Sequence, residues 1–549
     1  MSEIKQAYTS HRPVVMGCSG MVASAHPLAS QAGLRMLVEG GNAIDAAVAA
    51  ASALNVVEPY MSGVGGIGVL LCYLARQRQI RVLNFSGRAP YAAEPGRYTP
   101  ETKQVGILSP LVPGNVAGWL TLLETYGSME RAKVLAPAIA YAEKGFPVTD
   151  KNSRFIHENI PLLSRFPTAA QIFLHNGHSP KPGSILKQPT LAKSLRTIAE
   201  GGKEVFYRGA LAAKIVRFIE EQGGLLTRRD LADYEPAWEE PIRTSYRGYD
   251  VYVPPPNSSA FQILATLNIL EEFDLSSLGY GSPALLHLLM EAIKLSVTDR
   301  ITYAGDPTHS PIPLSTILSQ EYARQQQRRI DRQKASSVSG ERYSAAKIAG
   351  ALRTDIPEEY ASGLTTHLAA ADGEGNVVTI TQTLGNAFGS GVAVEDTGIF
   401  LNNMAYWFEI DPERGSPNLI APWKRVDFCV APMQVLHNGA FTLSLGTPGS
   451  YGILQTTLQM LLHILDFGMN IQEAIEAPRF RYYEGQRVQM EDRFPVETRR
   501  ALQQLGHQVE SLGDWSWSVG GGQGILRHPE SGALQGGADP RRDGYAVGF

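Results

Sequence analysis

Two apolar stretches of chain joined by one long polar stretch set the terms on which this sequence can fold. From about Gln320 to Ser362 the residues are charged and polar, helical in pattern at first and then without sustained apolar periodicity. Such a composition buries too little apolar surface to order itself, so the stretch reads as an exposed, mobile connector. It stops at Gly363-Leu364, and its opposite follows. TTHLAAA and VVTITQT alternate as strands do, around DGEGN, whose glycines suit a hairpin turn with φ > 0. A core strand therefore begins without a lead-in, at Thr365-Thr366-His367.

The remaining chain is that of a large globular protein. At 549 residues, 44% of them hydrophobic, it can bury a sizeable core. Its 49 basic and 53 acidic residues are spread along the chain, which leaves no charged footprint for nucleic acid or an anionic membrane. No stretch approaches the roughly 18 apolar residues of a membrane span, and the start lacks a basic segment followed by an apolar one. Cytoplasmic residence is the expectation. Cys18, Cys72 and Cys429 are too scattered for a disulfide framework or a four-ligand zinc site, and the twelve histidines show no metal-like spacing. Reduced thiols and no metal are expected.

Before the connector, HPLASQAGLRMLVEG and NAIDAAVAAASAL read as two helices separated by Gly40-Gly41, the second so rich in alanine that it must pack closely. VLLCYLA and IRVLNF form a hairpin, and SPALLHLLMEAIKLSVTDRITYAGDP a strongly amphipathic helix. Gly63, Gly65 and Gly68 satisfy G-x-G-x-x-G, but a helix leads in and a strand leads out. That is the reverse of a dinucleotide site, so close backbone packing is the better reading. After the connector come a strand at GIFLNN, a hairpin in VAPMQVLHNGAFTLSLGTPGS and a helix in YGILQTTLQMLLHILDFG. There is no internal repeat of 20 to 50 residues.

GGNAIDAAVAAASALNVVEPYMSGVGGIG, SGLTTHLAAADGEGNVV, FGSG followed by GIFLNN, GTPGS and EAIEAPRF stand in this order along nearly the whole chain. Together they resemble the gamma-glutamyltranspeptidase family of N-terminal nucleophile hydrolases. The resemblance implies an α/β four-layer αββα sandwich formed jointly by two fragments of a precursor that cuts itself. The implied cut lies just before Thr365. Residues 1–364, with the connector at about 320–364, would be the large fragment and 365–549 the small one, together one structural unit. The fragments would stay together as a heterodimer, with pairing of heterodimers left open. No cofactor is implied, and the partner is a small-molecule amide.

The same resemblance assigns roles. A threonine hydroxyl is a weak nucleophile until a base takes its proton, and a free α-amino group, with a pKa of about 8, can do so within the same residue. Thr365 would be the nucleophile, Thr383 would orient it, and Gly449 with Ser450 would match the family's Gly-Gly oxyanion hole. His367 shares a face with Thr365. Because the family base is the terminal amine, this histidine reads as packed or solvent-facing rather than as part of a triad.

Around the acyl group the chain departs from the pattern. Ser86 stands where the family has an arginine for the substrate α-carboxylate, with Arg88 two residues on, and Phe428 and Cys429 stand where it has a serine pair. Asn403 remains, but Met404 and Trp407 replace polar partners of the α-amino group, and Gly385 replaces an asparagine. Each lost hydrogen bond to a charged group is worth roughly 1.5–3 kcal/mol. Several together penalise a gamma-glutamyl group by at least about 5 kcal/mol, or several thousand-fold in kcat/KM. The expectation is an autoprocessing amidohydrolase or acyltransferase for a non-glutamyl acyl group, of oxamate or oxalyl type or another acyl amide. A genuine glutathione hydrolase and a catalytically silent scaffold are the alternatives. A small carboxylate on the acyl group would call on Arg88, and an apolar one on Met404, Trp407 and Phe428.

Overall fold

The strand that starts at Leu364 lies in the middle of the molecule because every residue of Leu364–Asp372 and of its hairpin partner Val377–Gly385 is buried. A strand covered on both faces needs a layer above and a layer below. The computed structural model describes residues 9–337 and 364–549, so most of the expected connector lies outside the described residues; its first part forms the helix Gln320–Gln327.

Two seven-stranded sheets, with antiparallel neighbours throughout, face one another. The first runs Tyr545–Gly548, Gly20–Ser24, Leu364–Asp372, Val377–Gly385, Ile67–Leu74, Gln79–Phe85, Ala237–Glu239. The second runs Val15–Gly17, Leu534–Ala538, Gln523–Arg527, Ala440–Gly446, Met433–His437, Tyr249–Val253, Ile242–Tyr246. Both sheets combine strands from before and after residue 364, so neither part of the chain completes a sheet alone. Between the sheets lie Met21, Ala23, Leu71, Ala369, Ala371, Val377 and Ile525, many of them small, which lets the inner faces approach.

Helices close both outer faces and complete the four layers. Pro27–Val38 and the alanine-rich Ala43–Val57 cover the first sheet, and Arg131–Lys144 packs on the outer side of the latter. All fifteen residues of Ala43–Val57 are buried, as the alanine content requires of a helix packed on several sides. Asn42 caps it, accepting from Ile44 and Asp45 N–H while Asp45 returns a bond to the Asn42 N–H. Phe261–Leu270 and Ile453–Leu465 cover the second sheet, and Pro283–Tyr303 packs on Phe261–Leu270.

Two local expectations are corrected. The helix Pro283–Tyr303 is not amphipathic: Leu285 to Val297 is buried on every side. Its polar residues tolerate this because they are paired, Lys294 with Glu291 at 2.7 Å and His287 with His507 at 2.8 Å. In the DGEGN turn only Gly375 has positive φ, +89°. Gly373 lies close to Ser19, where a Cβ would make a tight contact of 3.1 Å with the carbonyl oxygen. The glycines of the G-x-G-x-x-G match do serve packing: a Cβ on Gly65 would lie 2.2 Å from the Phe400 carbonyl oxygen.

Candidate active site

Thr365 and Thr383 face each other across the central hairpin, in register, with a bulge between Leu364 and Thr365 where the pairing skips Leu384. Both side chains are buried. The Thr383 hydroxyl donates to the Leu364 carbonyl oxygen at 2.7 Å and accepts from the Gly385 N–H at 2.7 Å. The accepted bond fixes the direction of the donated one. The Leu364–Thr365 peptide therefore has its carbonyl oxygen already polarised by a donor.

Gly385 is required here twice over. Its φ is +106°, and a Cβ would lie 2.1 Å from Asn403 Oδ1 and 3.2 Å from Met404 Sδ. Asn403 braces this corner: its Oδ1 accepts from Asn386 N–H at 2.9 Å, its Nδ2 donates to Gln104 O at 2.8 Å, and its own N–H donates to Leu384 O at 2.9 Å. With all these groups engaged, Asn403 positions the turn after Thr383.

Gly449 and Ser450 lead into the helix Ile453–Leu465, where N–H groups point outward without intrahelical partners. The approach to this turn is set by His367. A Cβ on Gly446 would lie 2.2 Å from the His367 ring, so the glycine lets the end of one sheet close on the nucleophile strand of the other. His367 is fully buried, its Nδ1 at 2.8 Å from Thr381 Oγ1 and its Nε2 at 3.2 Å from Thr379 Oγ1. Burial lowers its pKa to about 3, so it stays neutral: a packing residue between the sheets. Ser450 holds φ +56° despite its side chain.

The remaining expected residues fall into two groups. Met404 and Trp407 belong to one turn of helix beside Gly385, and Trp407 packs edge-on against Tyr451 with ring centroids 5.3 Å apart. Phe428 and Cys429 are buried beside Asn257–Ser259: the Phe428 N–H donates to Asn257 O at 2.9 Å and its carbonyl accepts from Ser259 N–H at 3.0 Å. Ser86 and Arg88 lie farther off. Thr365 pairs with Thr383, Thr383 with Ile67, and the neighbouring Gly68 with Phe85, so Ser86 sits three strands away, about 14 Å. The Ser86 hydroxyl is engaged with Asn257, accepting from Nδ2 at 3.2 Å. Arg88 Nη1 donates to Trp423 O at 2.8 Å, and its guanidinium lies over the Trp423 ring.

Sequence reasoning missed Tyr451, Asp427, Ser259 and Arg300. The Tyr451 hydroxyl donates to Asp427 Oδ2 at 2.7 Å, Ser259 donates to Asp427 Oδ1, and the Arg300 guanidinium carbon lies 3.9 Å from the Tyr451 ring centroid. Burial raises the Asp427 pKa, with Arg300 and the two hydroxyls opposing it. Asp427 inside the apolar run VDFCV was the available signal. Residues far apart in sequence also meet at His287, Glu291 and His507, whose ligand atoms lie within 4.8 Å of one another. The Lys294 ammonium already pairs with Glu291 there, and the two imidazoles bond each other.

Two facing antiparallel sheets between helical layers, with a threonine at the head of a central strand, define the N-terminal nucleophile hydrolase class. The chain belongs to the gamma-glutamyltranspeptidase family, whose model matches residues 29–549. It is 39% identical to the Glutathione hydrolase-like YwrD proenzyme of Bacillus subtilis, covering 97% of this chain and 99% of that one. It is 37% identical to the Acylase ACY 1 proenzyme of Pseudomonas sp. strain SE83, covering 98% and 95%. The crystal structure of cephalosporin acylase from Bacillus halodurans superposes with a TM-score of 0.90 at 34% identity, covering 100% and 99%. The protein is a hydrolase of amide bonds. Among the described residues no helix is long and apolar enough to cross a membrane.

Proposed function

We propose that the chain cuts itself between Leu364 and Thr365 and that Thr365, then N-terminal, is the nucleophile of an amidohydrolase acting on a non-glutamyl acyl group. The observation that carries this reading is the hydrogen bond from Thr383 to the Leu364 carbonyl. In the precursor the Thr365 hydroxyl oxygen attacks the Leu364 carbonyl carbon, and the developing oxyanion takes the Thr383 proton as its donor. The C–N bond breaks and the Thr365 nitrogen takes up the proton that the attacking hydroxyl has lost. Water then hydrolyses the resulting ester, leaving a Leu364 carboxylate and a free Thr365 amine.

With the Leu364 carbonyl no longer tethered, the Thr383 hydroxyl is free to turn to its register partner. The Thr365 amine accepts the hydroxyl proton as the oxygen attacks the substrate amide, the Gly449 and Ser450 N–H groups hold the oxyanion, and the amine product leaves with a proton. Water releases the acyl group. For the substrate, a serine about 14 Å away cannot replace an arginine's reach, and Met404, Phe428 and Cys429 offer little to an ammonium or carboxylate. Two of the three proteins compared above are named acylases.

Intact-mass spectrometry of wild-type protein and of Thr365→Ala tests the cut: two fragments, 1–364 and 365–549, against one chain. A Thr365→Ala protein that still splits at this bond overturns the nucleophile. A panel of chromogenic anilides then tests the acyl group. Turnover of gamma-glutamyl-p-nitroanilide as fast as the best other anilide would sink the non-glutamyl reading.

A further inference from the structure

The turn that leads into the helix Ile453–Leu465 is held in a conformation its own backbone does not favour. Ser450 carries a side chain at φ +56°, and Gly449 before it stands at φ +136°. A left-handed residue with a Cβ persists only where its surroundings over-determine it. Within the turn, the Gly452 N–H donates to the Gly449 carbonyl at 3.0 Å and the Ile453 N–H to the Ser450 carbonyl. Neither bond engages the N–H of Gly449 or Ser450.

The side chain that follows is gripped at its tip, one face and one edge. Tyr451 donates its hydroxyl to Asp427 Oδ2 at 2.7 Å, has the Arg300 guanidinium carbon 3.9 Å from its ring centroid, and meets the Trp407 ring edge-on at 5.3 Å. Arg300 is itself tied, its Nε donating to Gln262 Oε1 at 2.8 Å. A ring so gripped has no room to turn about its χ angles, so the Tyr451 Cα and the Ser450–Tyr451 peptide keep their place. Asp427 is the firm end of the arrangement. It is 5% exposed, its Oδ1 accepts from the Ser259 hydroxyl, and its N–H donates to Asn418 Oδ1 at 2.8 Å. Its neighbour Phe428 is bonded to the backbone of Asn257 and Ser259, so the carboxylate and the Ser259 hydroxyl belong to one tied corner. Each carboxylate oxygen takes one hydroxyl; an asparagine in its place would offer one acceptor to two donors.

We propose that Asp427 is a positioning residue for the reaction: through the Tyr451 hydroxyl it holds the Gly449–Ser450 turn in the form that presents its N–H groups to the oxyanion. The inference rests on the oxyanion role given to that turn above, and it gives the carboxylate no contact with substrate. Self-cleavage supplies the contrast. There the oxyanion takes its hydrogen bond from Thr383, so a fault confined to Asp427 and Tyr451 should slow turnover of an external amide and spare the cut.

Tyr451→Phe and Asp427→Asn, made singly and together, test this by intact-mass spectrometry during maturation and then by kinetics on the best anilide. Each single variant should lose about 10- to 100-fold in kcat, less than the loss of a whole oxyanion donor, and keep KM within about threefold. Both should split as fast as wild type. Because the two substitutions break the same bond, the double variant should match the slower single one within about threefold. Losses that multiply in the double variant overturn the proposal, as does a cut slowed in step with turnover or a loss carried by KM alone. Should these variants fail to fold, Ser259→Ala decides: it leaves one Asp427 oxygen without its donor, and kcat should fall about three- to tenfold with the cut unchanged. Unaltered kcat there is then fatal. Wild-type kcat in all the variants removes the positioning role and retains the amidohydrolase reading, whereas a wild-type chain that neither splits nor hydrolyses any anilide removes both.

Discussion

Thr383 donates its hydroxyl to the carbonyl oxygen of Leu364, one residue before its register partner Thr365, at 2.7 Å. The bulge in the hairpin makes this possible. By skipping Leu384 it brings Gly385 opposite Leu364, and the Gly385 N–H then aims the Thr383 proton at the Leu364–Thr365 peptide. On the proposed mechanism this one side chain serves two steps in succession, first at the Leu364 carbonyl and then at the Thr365 hydroxyl.

Thr383→Ala should slow both self-cleavage and anilide turnover by about 10²–10³, the cost of losing an aligned donor at a reacting centre. Thr383→Ser should restore most of both. The single-chain fraction followed by mass spectrometry, beside kcat, checks this. Unchanged cleavage in the alanine variant would remove Thr383 from processing.

Gly385→Ala should destabilise the protein by about 1–3 kcal/mol, because φ +106° strains any residue with a Cβ and that atom would strike Asn403. Displacing Asn403 loosens the turn that holds Thr383, so kcat should fall alongside Tm. A Tm equal to wild type would show that the corner relaxes without cost.

Ser450→Gly should raise stability by up to about 1 kcal/mol by relieving the left-handed φ of +56°. It keeps the backbone N–H and should leave kcat within an order of magnitude. A kcat lowered by about 10²–10³ in Ser450→Gly, the cost of a lost oxyanion donor, would show that the side chain and not the backbone N–H serves the site.

Acid should destabilise the fold through His367. Its folded pKa, about 3, lies below the unfolded value of 6.5 because burial disfavours the charged ring. The unfolded chain binds the proton first, so the stability contributed above pH 6.5 is lost as pH falls towards 3, by about 1.4 kcal/mol per pH unit. His367→Gln should show a shallower fall of Tm between pH 6 and 4.5, whatever its Tm at neutral pH. Parallel pH profiles would contradict a neutral buried ring.

Trp407→Ala should remove the edge contact that steadies Tyr451 beside the oxyanion turn. Activity on the best anilide should drop about 10- to 200-fold, the range for lost apolar contact in a pocket. No change would place Trp407 outside the acyl site.

Local pattern was enough for the parts of the fold whose information is local. The Thr365–Thr383 hairpin, the Gly40-Gly41 break and the all-buried alanine helix follow from alternation, turn chemistry and side-chain size, each acting within about 20 residues. The family motifs extend over a similar range, so the proposed nucleophile and its orienter can be named from them. His367 was read as packed or solvent-facing, and the sheets decide in favour of packed: Gly446, from a strand 79 positions later in the chain, closes over its ring.

The sequence by itself determined the family and the class of chemistry, amide hydrolysis, and it marks the strand at Thr365, its hairpin partner Thr383 and the glycine turn at Gly449 as the places where the proposed site falls. Tertiary structure decided which polar groups are already engaged. Arg88 looked available from its position two residues past Ser86, yet it is tied to Trp423, whereas Ser259 and Tyr451, far apart in the chain, both donate to Asp427. The helix Pro283–Tyr303 likewise carries polar residues that look like a solvated face and are in fact paired inside. The physical reason is common to both. Whether a charge is used, paired or left waiting depends on which groups share its buried neighbourhood, and in a sandwich of two sheets those groups arrive from strands and helices hundreds of residues apart.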